Sequence, residues 1–238
     1  MSKQLQRWQV FADAETLTRQ AEQMVRGAAA AAIDLRGRFD LVLAGGSTPR
    51  ILYQRLAAVG AGDAGWHVWF GDERCLPAGD PERNETMARQ AWLDQSDIPR
   101  EQIHAVPASV DPVAAAERYA DLLAEVEGFD LVLLGIGEDG HTASLFPGHE
   151  LGDHDDAADV LPVSDAPKPP PERVTMSASR LSKARQVLVL VTGSGKAPVV
   201  RHWRRGDADL PIEHIRPSGG VDVFLDQEAL PRSSGAER

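Results

Sequence analysis

Asp139 stands two residues before His141 in the segment Gly135-Ile136-Gly137-Glu138-Asp139-Gly140-His141. A carboxylate at that spacing can orient an imidazole and raise its basicity, which is what a general base needs. The same segment fits the Gly-x-Gly-x-x-Gly pattern of dinucleotide-binding turns. That match misleads, because Glu138 and Asp139 would set two carboxylates where a pyrophosphate should lie, and Pro147 cuts short the helix that should follow. A lone histidine is more often structural than catalytic, so the pair needs support from elsewhere in the chain.

Three other segments offer such support. Gly45-Gly46-Ser47-Thr48-Pro49 combines glycines, hydroxyls and a helix start, which suits a phosphate and equally suits a tight strand-to-helix turn capped by Ser47 or Thr48. Asp72-Glu73-Arg74 follows an apolar run, so charged side chains reach the end of a buried strand. Arg74 there can face an anion or a developing oxyanion, or belong to a solvated turn. Val191-Thr192-Gly193-Ser194-Gly195-Lys196 imitates a nucleotide P-loop but fails the test. Leu190 occupies the required first glycine and Ala197 replaces the hydroxyl that would hold magnesium. Lys196 can still act as a point charge for one phosphate, and Arg173 is a further candidate cation. No metal is expected, since His149 and His154 with their Asp neighbours match no ligand spacing and the single Cys75 reads as a buried thiol.

These segments sit where a parallel sheet would put them. Short apolar runs (Phe39–Ala44, Trp66–Phe70, Phe129–Leu134, Gln186–Val191, Val221–Leu225) alternate with helical periodicity at about 14–35, 49–59, 84–93, 112–127, 179–184 and from 194. The pattern predicts an α/β, Rossmann-like domain over residues 1–230, with a mainly parallel central sheet covered by helices on both faces and a flexible tail at 231–238. Ligands in such sheets lie beyond the carboxyl ends of the strands, where all four segments fall. Residues 148–173, rich in Asp and holding Pro169-Pro170-Pro171, read as a long surface excursion that could close over a ligand.

With 42% hydrophobic and 26% charged residues the chain has a globular balance. A net charge of −11 disfavours nucleic acid and anionic membranes as partners, so an anionic small molecule would need a local basic pocket. No apolar run is long enough to span a bilayer, and the first ten residues lack a signal core, which points to the cytoplasm. The oligomeric state, monomer or small homo-oligomer, is left open.

Taken in order, Gly-Gly-Ser-Thr-Pro, Phe-Gly-Asp-Glu-Arg with Asn84 downstream, Gly-Ile-Gly-Glu-Asp-Gly-His-Thr-Ala-Ser-Leu-Phe-Pro-Gly, Arg-Val-Thr-Met and Thr-Gly-Ser-Gly-Lys-Ala resemble the 6-phosphogluconolactonase family over about Asp13 to Leu230. The related glucosamine-6-phosphate deaminases share the fold and the Asp-Gly-His loop. They typically carry Tyr where this chain has Arg74, and Asn-Glu-Pro where it has Thr142 to Pro147. The resemblance implies hydrolysis of a phosphorylated sugar lactone in the oxidative pentose phosphate pathway without a cofactor. It implies His141 as general base, held by Asp139. It assigns the 6-phosphate to Gly46, Ser47 and Lys196, assisted by Arg173. Arg74 would face the phosphate or the oxyanion, and Asp72 a substrate hydroxyl or a neighbouring group. A deaminase or a non-catalytic sugar-phosphate sensor are the alternatives. The chain departs from the family pattern at Cys75-Leu76 and Arg83, changes that bear on packing more than on chemistry.

Overall fold

In the computed structural model residues 4–231 are described; most of the expected tail, 232–238, lies outside them. The chain opens with β1 (Gln6–Phe11), α1 (Ala14–Arg36), β2 (Phe39–Leu43), α2 (Ser47–Ala58), β3 (Trp66–Phe70) and β4 (Asp72–Arg74). It continues through α3 (Asn84–Ala91), β5 (Ile103–His104), α4 (Pro112–Leu123), β6 (Phe129–Leu134), β7 (Val160–Val163) and β8 (Arg173–Met176). It closes with α5 (Ala178–Ser182), β9 (Ala184–Val191), α6 (Ala197–Arg205) and β10 (Val221–Asp226).

Seven strands form one sheet in the order β1-β10-β9-β6-β2-β3-β5, and each neighbouring pair is parallel. Every residue of β2, β6 and β10 is buried, as strands covered on both faces must be, and their apolar runs supply the core. The first helix, α1, is held at both ends. Asp13 accepts a hydrogen bond from the Thr16 N–H at 2.7 Å, and Gly37 leaves the helix at φ 71°, a left-handed turn that glycine takes without strain. Its Ala29 and Ala32 pack in the core.

The sheet order places β2 beside β6, although β3 follows β2 on one side and β9 follows β6 on the other. The chain therefore leaves these two central strands in opposite directions, and a crevice opens beyond their carboxyl ends. The loops after β2 and β6 are Gly45-Gly46 and Gly135–His141, so the topology brings the two glycine-rich segments face to face.

Two expectations need correction. Asp72-Glu73-Arg74 is not a plain turn, and residues 148–173 are not devoid of regular structure. β4, β8 and β7 form a second, antiparallel sheet in which Asp72 pairs with Thr175, Arg74 with Arg173, and Val163 with Arg173 from the other side. Val160-Leu161-Pro162-Val163 is too short to show a period, and its partner strand comes ten residues later across a proline run. Pro162 fits because β7 is an edge strand, paired only with β8. The strands β1 and β5 also escaped the sequence pattern, one being half polar and the other two residues long.

Candidate active site

Where β6 ends, the chain folds into a tight loop. The Gly137 N–H donates to the His141 carbonyl at 2.7 Å and the Gly140 N–H donates to the Gly137 carbonyl at 3.0 Å. Gly140 takes φ 91°, which glycine tolerates. Gly137 serves a different need: a Cβ there would lie 2.1 Å from His141 Nδ1 and 2.2 Å from Asp139 Oδ1. Only a glycine leaves room for the two side chains to meet. They do, with His141 Nδ1 and Asp139 Oδ1 2.5 Å apart.

Burial would raise the Asp139 carboxyl, but the hydrogen bonds and charges of His141 and Lys168 outweigh it and hold the group at about 2. For His141 burial is the largest influence, and it keeps the imidazole below its ordinary pKa in spite of the opposing pull of Asp139. The expected gain in basicity from the carboxylate is thus overridden. The imidazole is neutral at pH 7, with Nδ1 engaged by Asp139, which is the protonation state a base requires.

His141 lines a cavity of about 200 Å³ together with Gly45, Gly46, Asp72, Asn84, Gly137 and four cations, Arg74, Lys168, Arg173 and Lys196. A chain of net charge −11 thus concentrates positive charge at one crevice. Arg74 and Arg173 face each other across the β4–β8 pair. Burial and then, among other charges, the repulsion of Arg74 press the Arg173 pKa downward, while Asp72 opposes them. Lys196 lies on a 3-10 turn just before α6, its pKa lowered by burial against the pull of Glu138. Such a group of cations favours an anionic occupant.

Gly46, Asp72, Arg74, His141, Arg173 and Lys196 therefore meet at one cavity, and Asp139 joins them through His141. Ser47 does not form part of the wall. It is the exposed first residue of α2, and its neighbour Thr48 spends its hydroxyl on Thr192 at 2.6 Å. Arg173 uses its Nε on the Pro170 carbonyl at 3.0 Å and its Nη2 on the Lys168 carbonyl at 2.9 Å, so much of its bonding holds the proline run.

A family model described as glucosamine-6-phosphate isomerases/6-phosphogluconolactonase matches residues 12–224. The chain belongs to this family. It is 39% identical to a 6-phosphogluconolactonase of Synechocystis over 83% of this chain and 86% of the relative. A Rattus norvegicus protein of the same name is 37% identical over 92% and 91% of the two chains. The solved structure of 6-phosphogluconolactonase from Trypanosoma brucei superposes with a TM-score of 0.84 at 29% identity, covering 95% of this chain and 98% of the other.

In this member of the isomerase/lactonase family a network of buried polar groups holds the residues around the cavity in place. Asp72 accepts from Ser144 Oγ at 2.7 Å and from Asn84 Nδ2 at 3.1 Å, so its carboxylate is aimed from two sides. Asn84 lies where a Cβ on Gly45 would stand, 2.1 Å from Asn84 Oδ1, which explains the first glycine of that pair. Buried Glu73 accepts the N–H groups of Arg74, Asn84 and Glu85 at 2.7–2.8 Å and thereby caps α3 from a distance. Arg83, one of the two departures from the family pattern, is 1% exposed and ties this region together. It donates to the carbonyls of Leu76 and Val106 at 3.2 and 2.8 Å and lies 3.7 Å from Glu73. The other departure, Cys75, is a buried thiol pushed up to about 11, chiefly by burial.

Sequence reasoning gave no role to Lys168, Asn84 or Ala143, which all line the cavity. Ala143, two residues after His141, holds φ 49°, a strained value for a residue with a Cβ. The one available signal for Lys168 was a cation set in a stiff Lys-Pro-Pro-Pro run just before Arg173. Among the described residues no helix is long and apolar enough to cross a membrane, and no group of three or more His, Cys, Asp or Glu could hold a metal.

Proposed function

We propose that this chain hydrolyses 6-phospho-D-glucono-1,5-lactone to 6-phospho-D-gluconate, the lactone-opening step of the oxidative pentose phosphate pathway. The observation that carries this reading is a neutral, carboxylate-held imidazole opening into the same cavity as four cations. His141 Nε2 takes a proton from water as the water oxygen attacks the lactone carbonyl. The carbonyl oxygen gains negative charge, the bond from C1 to the ring oxygen breaks, and the imidazolium returns its proton to that oxygen. Water adds across the ester with no net oxidation, so the reaction needs a base, oxyanion donors and positioning rather than a redox group.

Lys196, backbone N–H groups at the Gly46 start of α2, and Arg173 hold the 6-phosphate. Ser47, the exposed first residue of α2 next to Gly46, adds its hydroxyl to that phosphate side. Arg74 donates its Nη1 to the Glu82 carbonyl, while its buried Nε has no partner among the described residues. The Arg74 charge at the cavity wall faces the phosphate or the developing oxyanion. Asp72, fixed by Ser144 and Asn84, accepts from a substrate hydroxyl. The reading extends to one catalytic domain over residues 1–230, acting in the cytoplasm on a small molecule.

The test is release of acid from 6-phosphoglucono-δ-lactone by purified protein without added metal or nucleotide. His141→Ala should lower kcat by about 10²- to 10⁴-fold. Ammonia released from glucosamine 6-phosphate would instead mark a deaminase. Tight binding of 6-phosphogluconate with no lactone turnover would mark a sensor.

A further inference from the structure

Most of the cavity wall comes from the ends of strands, but one cation arrives from the connection between β7 and β8. Lys168 Nζ lies 3.2 Å from Asp139 Oδ2, while the other oxygen of that carboxylate holds His141. Asp139 is thus engaged on both sides, and the three residues form a line from ammonium through carboxylate to imidazole.

An ordinary exposed lysine would gain little from such a pair, since holding a long side chain in one place costs entropy. Lys168 differs in its main chain. Arg173, 5% exposed, donates to the carbonyls of Lys168, Pro169 and Pro170 at 2.9, 3.3 and 3.0 Å. The Arg173 guanidinium is fixed in turn by its place on β8 and by the Phe146 ring, 5.8 Å from its carbon. A buried arginine therefore anchors the backbone that presents this half-exposed ammonium to Asp139.

We propose that Lys168 is a positioning residue for the base: delivered by the Arg173-clamped proline run, its ammonium holds Asp139 in the orientation that aligns His141 and offsets the carboxylate's pull on the imidazole proton. This rests on His141 being the base. With Asp139 alone, the carboxylate would favour the imidazolium, which cannot accept a proton from water. A positive charge on the outer oxygen works against that preference while leaving the inner oxygen in place to orient the ring.

The charges around the imidazole support this balance. Asp139 and Glu138 lie on its own loop, Asp72 on β4, Lys168 on the β7–β8 connection, and Arg74, Arg173 and Lys196 around the same cavity. Asp139 and Asp72 favour the imidazolium, while burial and Lys168 oppose it. Arg173 takes on a second role here, since it supports the base through the loop as well as lining the phosphate side.

The experiment follows His141 directly by NMR titration of the full-length protein, its ring signal assigned by its loss in His141→Ala. The wild type, Lys168→Met and Lys168→Arg are compared, with kcat and KM for the lactone measured over the same pH range. In Lys168→Met the His141 midpoint moves to higher pH and the acid limb of kcat/KM moves with it. Its kcat falls by up to about 10²-fold, the order that misplacing a reacting group by an ångström costs. Lys168→Arg restores both. An unmoved midpoint in Lys168→Met overturns the proposal, even where KM rises, because Lys168 would then be a substrate ligand only. Wild-type turnover in His141→Ala would remove the base itself, and with it the role of Lys168. Loss of turnover in His141→Ala beside an unmoved midpoint in Lys168→Met would sink the lysine alone.

Discussion

Gly137→Ala isolates the contact between Asp139 and His141 without touching either residue. The backbone at Gly137 does not lie in the left-handed region, so alanine meets no conformational barrier there. Its Cβ, however, would stand 2.1 Å from His141 Nδ1, 2.2 Å from Asp139 Oδ1 and 2.4 Å from His141 Cε1. To reach ordinary contact at 3.4 Å the imidazole must retreat by about 1.3 Å, and Asp139 must retreat with it. A displacement of that size costs about 10² in kcat, whereas loss of the base altogether would cost up to about 10⁴. The phosphate side of the cavity is untouched, so KM should change far less than kcat. Gly27→Ala is the control: it lies on exposed helix with nothing near its Cβ, and should raise stability by about 0.5–1 kcal/mol with activity unchanged. Steady-state lactone hydrolysis and urea melts of both variants supply the numbers. Wild-type kcat in a folded Gly137→Ala protein would refute the claim that the pair must be held at 2.5 Å for turnover.

Because burial keeps the His141 pKa below its ordinary 6.5, activity should be complete at neutral pH and fall away only as pH drops through a midpoint under 6.5. The kcat/KM profile checks this, and a midpoint above 6.5 would contradict it. Asp139 stays ionised until about pH 2, so that limb belongs to the imidazole. By linkage, the depressed Asp139 pKa adds stability above the usual carboxylate range that disappears as pH falls through about 2, which acid unfolding would register. Lys196→Met should raise KM by about 10- to 100-fold, the worth of one charged hydrogen bond, with a smaller change in kcat. Arg83→Ala should cost about 3 kcal/mol in urea unfolding, because it leaves Glu73, itself 1% exposed, without its counter-charge.

The central strands were legible because burial on both faces leaves a signature of near-continuous apolar residues. Phe129–Leu134 and Trp66–Phe70 match their expected bounds, and β2 ends one residue early. Their strength also made the loops legible, since glycine and charged residues after an apolar run mark a strand end. The second sheet was hidden for the opposite reason. Asp72-Glu73-Arg74 and Val160–Val163 are too short for periodicity, and each becomes a strand only by pairing with β8. Ser47 looked like a phosphate ligand because its hydroxyl follows two glycines, and in the structure it is the exposed first residue of α2, beside the cavity-lining Gly46.

The sequence alone determined the chemistry on offer: a carboxylate two residues from a histidine, cations on separate loops, and glycines wherever those loops must bend. It determined as well that an acidic chain would need a local basic pocket. Only the tertiary structure decided which cations share that pocket, because Arg74, the Lys168–Arg173 stretch and Lys196 come from three places in the chain whose distances depend on strand order and register. It also decided the state of the His141 imidazole. The effect of Asp139 on His141 could be foreseen from spacing, but the greater effect of burial depends on everything packed around the ring.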